Sequence, residues 1–401
     1  MEKKIKIINI DYSGISSQIK DTSERYFENI QKSTIVDTED HITYLALYIR
    51  QPAWFKPILD RIPNDTWLMM QQGKVKPLII MTTEQWDLFE NFAWLENKHN
   101  ITPDFGNVPY SQLVRQFTSR SVAEENITWV TAVNQESQVQ EMRQRGYKIA
   151  SRFIEFNYYK ELMCDVAKDY ELGEKKFTKH YSCLCQGNAK HHRYGMIYSL
   201  WQSQLFEKGN VSCEAYDNIV RTKNSNWIDD KMTADEYMEN FADWKANKQG
   251  FISLLPIDFD RNPNAHRQME TYNESNIFEQ SFLWLSCETK KPDDGIYITE
   301  KTYKAIAYGS PFCILGDDGS LDYIKNLGFK TFDTFWDESY DYGSDQEKIN
   351  KITMIVKNIC SKSVSELNTL YKEMLPTLRH NQEQLIQQTQ VNNLIRKLRN
   401  A

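Results

Sequence analysis

Glu300 and Lys301 directly follow Thr299 and place a carboxylate beside a cation at the predicted start of a helix. Threonine is a common cap of helix N-termini. The unpaired N–H groups of a helix start attract a diphosphate, and Lys301 adds a full positive charge. Glu300 repels phosphate, but it can accept hydrogen bonds from ribose hydroxyls. The three residues therefore indicate a nucleotide site, although the helix dipole also favours glutamate in any first turn.

The segment around these residues alternates between predicted strands and helices. SFLWLSC (281–287), PFCIL (311–315) and FKTF (329–332) predict strands. A helix beginning after Thr299 and ending at Gly309 separates the first two, and a helix capped by Ser320 and ending at Gly328 separates the last two. This β-α-β-α-β pattern predicts half of a doubly wound sheet, in which ligands bind at the carboxyl ends of the strands.

The rest of the chain extends the same pattern. Strands are predicted at KIKIINI, PLIIM, ITWVTAV and HYSCLC, a helix at EQWDLFENFAWL, and a buried element of either type at ITYLALYI. Ser344 and Glu347 predict a capping box before a helix with a buried isoleucine stripe, and Pro376 predicts a kink or break. We expect an N-terminal domain over 1–174, a nucleotide-binding domain over 175–343 and C-terminal helices over 344–401.

Composition narrows the possible classes of protein. The 401 residues are 40% hydrophobic, which is enough to form substantial cores, and no apolar run reaches the roughly 18 residues of a membrane helix. Seven scattered cysteines without a secretory signal predict reduced thiols in a cytoplasm. The net charge of -7 gives no general support for nucleic-acid binding.

Two stretches resemble a known donor-site signature. FEQS (278–281) followed by YITEKTYKAIAYGSPFCILG resembles the α1,3-fucosyltransferases, and the longer form ending in LGFKTF also resembles glycosyltransferase-like proteins of bacteriophages and large viruses. The similarity covers about residues 180–335 and is strongest at 297–332. It implies a GT-B-like α/β fold, with two Rossmann-like domains facing a cleft and a helical C-terminal tail. It also implies inverting transfer from a nucleotide sugar to the hydroxyl of a glycan or another acceptor.

The resemblance also implies roles for individual residues. Glu300 would hold the ribose of the nucleotide, Lys301 and Arg193 the diphosphate, and Tyr297 and Thr299 would belong to the donor site. Arg193 could instead be a solvated helical arginine. Gln280 replaces an asparagine of the family pattern, and an insertion separates FEQS from Thr299, so Glu288 and Thr289 are expected to face the donor site instead.

Metal binding is a weaker alternative. Asp258 and Asp260 form an Asp-Xaa-Asp pair of the kind that binds a divalent ion, but such pairs are frequent in turns. Cys183, Cys185, His191 and His192 match no common zinc spacing, and the two cysteines are expected to be core residues. Asp317 and Asp318 are expected to form a turn. We therefore predict metal-independent chemistry without a cofactor.

Inverting transfer needs a base for the acceptor hydroxyl. The resemblance places this carboxylate in the N-terminal domain, where Glu84 after PLIIM and Asp11 after the first strand are the candidates. The position of Glu84 favours an exposed glutamate at a helix start over a base. Two other functions stay open, namely glycosylation of a modified pyrimidine in viral DNA and non-catalytic binding of a nucleotide sugar.

Overall fold

The computed structural model of the protein describes residues 4–9, 41–48, 55–81, 109–131, 136–185, 190–213, 234–257, 275–289, 296–387 and 390–399. The chain divides into two compact units. The first contains residues 1–161, 292–295 and 389–401, and the second contains residues 162–291 and 296–388. The predicted helix at EQWDLFENFAWL lies outside the described residues.

The first unit contains a parallel sheet of five strands. The strands are β1 (Lys4–Asn9), β2 (His41–Tyr48), β3 (Val75–Met81), β4 (Thr128–Thr131) and β5 (Arg152–Glu155), and their order in the sheet follows the chain. Each neighbouring pair is parallel. The described helices that accompany them are α1 (Phe55–Leu59), α2 (Asn64–Gln71), α3 (Pro109–Thr118) and α4 (Glu136–Gln144). Helix α5 (Tyr158–Asp169) begins in the first unit and continues into the second. The strands predicted at KIKIINI, PLIIM and ITWVTAV are confirmed, and ITYLALYI is a strand.

The central strands of this parallel sheet are buried on both faces. Every residue of β4 and six of the seven residues of β3 are buried. Near-continuous apolar strands are typical of parallel sheets whose faces are covered by helices. Trp129 of β4 stacks on Phe153 of β5 at a centroid distance of 6.1 Å, and Tyr110 of α3 lies against both rings. Aromatic packing therefore links α3 to two neighbouring strands.

The second unit contains a separate parallel sheet of four strands. These are β6 (Lys179–Cys185), β7 (Gly209–Cys213), β8 (Ser281–Cys287) and β9 (Phe312–Leu315), in the order β7-β6-β8-β9. The described helices of this unit are α6 (His191–Gln202), α7 (Ala234–Met238), α8 (Trp244–Ile252), α9 (Ser275–Gln280), α10 (Glu300–Ala307), α11 (Ser320–Asn326), α12 (Asp345–Cys360) and α13 (Val364–Gln387). The chain passes from β6 to β7 on one side of β6 and then crosses to β8 on its other side, so β6 and β8 flank the topological switch point.

The prediction of a strand at FKTF is wrong. Residues 329–332 are described, and they join no sheet. Side chains take the place of a neighbouring strand. Asn381 accepts the N–H of Lys330 at 2.7 Å and donates to its carbonyl at 2.9 Å, and the carboxylate of Glu338 accepts the N–H of Phe332 at 2.7 Å. Because these backbone groups already have partners, the segment packs as irregular chain with Phe329 and Phe332 buried.

The helix ends agree with the sequence patterns except at Ser320. Thr299 caps α10, and Ser344 and Glu347 form a capping box at α12. Gly309 and Gly328 have φ values of 55° and 87°, the left-handed conformation that follows many helix ends. Ser320 is instead the first residue of α11, whose N–H groups at Leu321 and Asp322 donate to the carboxylate of Asp341 at 2.9 and 3.4 Å.

The C-terminal segment is shared between the two units. Helices α12 and α13 belong to the second unit, whereas α14 (Gln390–Arg399) belongs to the first. Pro376 lies inside α13 without breaking it, and the predicted buried stripe of α12 is confirmed. Tyr44 of β2 donates to the carbonyl of Leu398 at 3.0 Å. The structure thus divides the chain after Glu161 and distributes the tail, where the sequence indicated a boundary after residue 174 and a separate helical segment.

Within the described ranges, no helix combines the length and the apolar character needed to cross a membrane.

Candidate functional site at the carboxyl edge of the second sheet

The predicted site residues gather around the switch point of the second sheet. Arg193 lies in the first turn of α6, the helix that follows β6. Glu288 directly follows β8, and Thr299, Glu300 and Lys301 begin α10, which leads from β8 to β9. The carboxyl ends of β6 and β8 are neighbours, because Ser182 pairs with Trp284 in a parallel register. The fold thus brings together residues that are more than 90 positions apart in sequence.

The carboxylate of Glu288 occupies the N-terminus of α10. It accepts the N–H of Thr299 at 3.2 Å, the N–H of Thr302 at 3.3 Å and the hydroxyl of Thr302 at 2.7 Å, and it also accepts the Thr299 hydroxyl. Glu288 is only 1% exposed. A buried carboxylate at a helix N-terminus is stabilised by the dipole and by these donors. Two of the backbone N–H groups at this helix start, those of Thr299 and Thr302, are therefore already used by the protein.

Glu300 and Lys301 form an ion pair at the edge of this cap. Nζ of Lys301 donates to Oε1 of Glu300 at 3.0 Å and to Oγ1 of Thr299 at 3.0 Å. The two charged side chains retain 12% and 19% of their exposure. Burial alone would raise the pKa of Glu300, but the charges of Lys301 and Lys304 and the hydrogen bond from Lys301 lower it to about 2. Glu300 is therefore ionised at neutral pH and presents acceptor oxygens at a partly open position.

Arg193 is fixed against the end of β8. Its Nε donates to the carbonyl of Cys287 at 3.2 Å, and its Nη2 donates to Oγ1 of Thr289 at 3.3 Å. Arg193 is 5% exposed, so the interpretation as a solvated helical arginine is wrong. At the same strand end, the ammonium of Lys301 donates to Oγ1 of Thr299, and the Thr299 hydroxyl donates to the carboxylate of Glu288. Two positive charges from different helices therefore converge at the same edge of the sheet.

The neighbouring His192 supports the same strand end. Its Nε2 lies 2.8 Å from the carbonyl of Glu288, and the ring is buried. His191 instead contacts the ring of Tyr237 at 5.4 Å. The two histidines point to different partners, and neither belongs to the described group of potential metal ligands, which consists of Cys183, Cys185 and Cys287. A zinc site made of two cysteines and two histidines is therefore not formed here.

The FEQS element lies at the opposite edge of the sheet. Gln280 ends α9 and accepts the N–H of Thr178 at its carbonyl, and Ser281 is the first residue of β8. The whole length of β8 separates these residues from Glu288 and Thr289, which follow the carboxyl end of the strand. The expectation that Glu288 and Thr289, rather than Gln280 and Ser281, face the predicted site agrees with this geometry. Tyr297 is buried two residues before Thr299.

The remaining predicted residues divide into two groups. Asp317 and Asp318 lie in the turn before α11, where the carbonyl of Asp317 accepts the Ser320 hydroxyl and Asp318 pairs with the buried Lys348 at 2.6 Å. This agrees with the expected turn-forming role. Four predicted residues lie outside the described part of the chain, namely Asp11, Glu84, Asp258 and Asp260.

Thr302 and Cys287 are site residues that the sequence did not reveal. Thr302 supplies two of the donors to Glu288, and Cys287 joins Cys183 and Cys185. The only available signal for Thr302 was its position three residues after the cap Thr299. For Cys287, the signal was that both HYSCLC and SFLWLSC end in cysteine. Neither pattern is informative until β6 and β8 are known to be neighbours.

Comparisons with known proteins do not assign a family. No protein-family model and no curated protein matches the sequence. A crystal structure of the DNA-modifying enzyme beta-glucosyltransferase, in the presence and absence of its substrate uridine diphosphoglucose, aligns over 99% of this chain and 100% of its own. The identity is 12% and the TM-score is 0.44, a likeness too weak to assign a fold or an activity.

Proposed function

We propose that the protein is a GT-B-like glycosyltransferase that binds a nucleotide sugar at the switch point of its second sheet. The observation that carries this proposal is that Arg193 and Lys301, the latter paired with Glu300, both lie at the carboxyl ends of β6 and β8. Ligands of open α/β sheets bind at this position. Two cations beside one carboxylate match a diphosphate joined to a ribose better than they match a bare phosphate.

The side chains would divide the nucleotide between them. Lys301 has three N–H donors, and within the described part of the chain two of them go to Thr299 and Glu300, which leaves one for a phosphate oxygen. Arg193 would add positive charge on the β6 side of the switch point. Glu300 accepts one hydrogen bond from Lys301 and has further lone pairs for ribose hydroxyls. These roles match those that the resemblance to fucosyltransferases implies.

Glu288 would act as a positioning residue. Its four hydrogen bonds fix Thr299 and Thr302, and through them the start of α10. Because Thr299 and Thr302 flank Glu300 and Lys301, these hydrogen bonds would fix the backbone of both charged residues relative to the carboxyl end of β8. A site built on such a rigid support loses less entropy when it binds ligand than one built on a mobile loop. We therefore assign Glu288 to orientation of the donor site rather than to contact with the sugar.

In this proposal the transfer step inverts the anomeric carbon of the sugar. The acceptor hydroxyl loses its proton to a carboxylate as its oxygen attacks, and the nucleoside diphosphate leaves with the electrons of the broken glycosidic bond. Arg193 and Lys301 would stabilise the negative charge that develops on the leaving diphosphate. Asp11 and Glu84 remain our predictions for the base.

Donor binding is tested by thermal unfolding with nucleoside diphosphates and their sugar conjugates. A ligand at 100 times its dissociation constant adds about 2.7 kcal/mol to the free energy of unfolding. We expect one nucleoside diphosphate to raise the melting temperature of the protein, and we expect the corresponding nucleoside to have little effect. If no nucleoside diphosphate or nucleotide sugar shifts the transition, the proposed donor site is wrong.

Transfer is tested separately with the donor identified in this way. The stabilising nucleotide sugar is incubated with glycans and with hydroxymethylated DNA, and release of the nucleoside diphosphate is followed. Release that depends on an acceptor supports a transferase and names the acceptor class. Donor binding without hydrolysis or transfer to any acceptor identifies a binding protein instead.

A further inference from the structure

The thiols of three cysteines meet near the carboxyl ends of β6 and β8, and these sulfur atoms take no part in the proposed donor binding. Cys183 and Cys185 alternate along one face of β6, and Cys287 ends the neighbouring strand β8. The sulfur atoms of Cys183 and Cys185 lie 3.9 Å apart, and those of Cys183 and Cys287 lie 4.0 Å apart. All three sulfurs lie within 4.8 Å of one another, and all three residues are buried. We call this group the thiol triangle.

The dimensions of the thiol triangle fit a metal ion better than a disulfide. A disulfide needs its sulfurs about 2.05 Å apart, so two of these thiols would have to move toward each other by roughly half of their separation. A metal ion bound at about 2.3 Å from three sulfurs in one plane requires sulfur separations of about 4.0 Å. The two separations given above are 3.9 and 4.0 Å. A trigonal metal ion therefore needs little movement of the strands.

The charges around the thiol triangle favour the thiolate that a metal needs. Nε of Arg193 donates to the carbonyl of Cys287 at 3.2 Å, and Lys301 lies in the first turn of the helix that follows the same strand end. Thiolates, and not thiols, are the ligands of soft metal ions.

The set of donor atoms selects among metal ions. Structural zinc sites are almost always tetrahedral with four ligands. Within the described ranges, the group of potential ligands contains three sulfurs and no fourth histidine, cysteine, aspartate or glutamate. Soft thiolate ligands favour copper(I) and zinc, and a set of three ligands fits copper(I), which accepts three thiolates in one plane. The ion neutralises one of the three thiolate charges, and the positive charges of Arg193 and Lys301 nearby offset the remainder.

We propose that Cys183, Cys185 and Cys287 form a trigonal site for one copper(I) ion. The ion replaces the thiol protons, which pass to solvent, and no change in oxidation state is involved. The ion and the nucleotide would be bound by different side chains, although the carbonyl of Cys287 also accepts a hydrogen bond from Arg193.

Direct titration of the purified full-length protein tests the site. Copper(I) is added without oxygen to reduced protein in the presence of a chromophoric copper(I) chelator of known affinity. We expect one equivalent to transfer from the chelator to the protein. X-ray absorption of the loaded protein should show three sulfur neighbours at one distance. This measurement on the parent protein does not depend on whether any variant folds.

Single substitutions then locate the ion. Cys183→Ala, Cys185→Ala and Cys287→Ala should each weaken copper(I) binding by at least about 100-fold, more than the loss of an outer partner of a metal ligand. The matched controls are Cys313→Ala, which removes a buried thiol of the same sheet, and Cys360→Ala, which removes a partly exposed thiol. Both controls should retain one tightly bound ion.

Three results would overturn the proposal. The first is a parent protein that takes no copper(I) from the chelator. The second is a first coordination shell with fewer than three sulfurs. The third is a loss of binding in the Cys313 or Cys360 variant with retention in the three triangle variants. Since the nucleotide thermal shift is measured without metal, its failure leaves this test unaffected.

Discussion

Oε1 of Glu288 accepts both the backbone N–H of Thr302 at 3.3 Å and its hydroxyl at 2.7 Å. This pair links the end of β8 to the first turn of α10. It also occupies part of the helix start, because the Glu288 carboxylate accepts the N–H groups of Thr299 and Thr302. In the proposed function, a diphosphate would therefore be recognised by the side chains of Arg193 and Lys301 more than by the backbone.

Glu288→Gln should destabilise the second unit. The amide keeps the size of the side chain, but it removes the charge and replaces one acceptor oxygen by a donor that faces the hydroxyls and N–H groups of Thr299 and Thr302. Buried hydrogen-bonding groups without a partner cost about 1–3 kcal/mol. Denaturant unfolding measures the change. Glu373→Gln, an exposed glutamate of α13, is the control and should match the parent. A Glu288 variant as stable as this control contradicts the capping role.

Lys301→Ala should weaken binding of the nucleoside diphosphate by ten-fold or more and leave binding of the nucleoside nearly unchanged. Hydrogen bonds to charged groups contribute about 1.5–3 kcal/mol each, and about 1.4 kcal/mol corresponds to ten-fold in affinity. Calorimetric titration with both ligands measures the difference. Lys357→Ala, which removes an exposed lysine of α12, controls for net charge.

Arg193→Gln should show the same selective loss of diphosphate affinity. Glutamine keeps a donor for the carbonyl of Cys287 while it removes the positive charge, so it separates the two roles of Arg193. Equal losses for the nucleoside and the nucleoside diphosphate would indicate that Arg193 only supports the strand end.

Lys175 gives the second unit a specific pH dependence. Its Nζ donates to the carbonyls of Phe278 and Tyr308 at 2.9 and 2.8 Å and lies 2.8 Å from Oγ of Ser310. Burial lowers the pKa of Lys175 from 10.5 to about 7, and the charge of Glu279 offsets only part of this effect. Between these two values the unfolded chain binds more protons than the native protein.

The free energy of unfolding should therefore rise with pH through this window and show no contribution of Lys175 to its slope below about pH 7. The maximal slope from one group is about 1.4 kcal/mol per pH unit. Denaturant unfolding at about pH 7.5 and about pH 9 measures it, and Lys175→Met should remove this part of the slope. If the parent and the variant show the same pH dependence, Lys175 keeps its proton in the native protein.

Asn381→Ala should destabilise the protein through the segment that replaces the predicted last strand. The substitution removes both hydrogen bonds to the backbone of Lys330, and Asn381 is 1% exposed. The expected cost is about 1–3 kcal/mol. Asn350→Ala on the exposed face of α12 is the matched control. Equal stability of the two variants would mean that solvent replaces the Asn381 side chain without cost.

Transfer activity should survive an excess of a chelator of divalent ions. Two cationic side chains, Arg193 and Lys301, are proposed to balance the charge of the diphosphate, so the reaction needs no divalent ion for that purpose. Turnover is compared with and without EDTA. Loss of turnover on chelation and its recovery with magnesium or manganese would make Asp258 and Asp260 the leading residues.

The sequence by itself determined the local elements of this protein. Apolar runs such as PLIIM and SFLWLSC became buried parallel strands, and the helix starts at Thr299 and Ser344 were correct, because side-chain period and capping chemistry act over a few residues. The resemblance of YITEKTYKAIAYGSPFCILG likewise directed attention to Glu300 and Lys301.

The tertiary structure decided which residues form hydrogen bonds and contacts with these elements. FKTF has the composition of a strand, yet Asn381 and Glu338 from later parts of the chain satisfy its backbone. The sequence places Glu288 at the end of a strand, but its carboxylate also accepts the N–H of Thr302 in the first turn of α10. Cys185 and Cys287 meet only because β6 and β8 are neighbours. In each case the partner lies in another element or turn, and the local pattern of a strand or helix does not encode a contact that only tertiary packing forms.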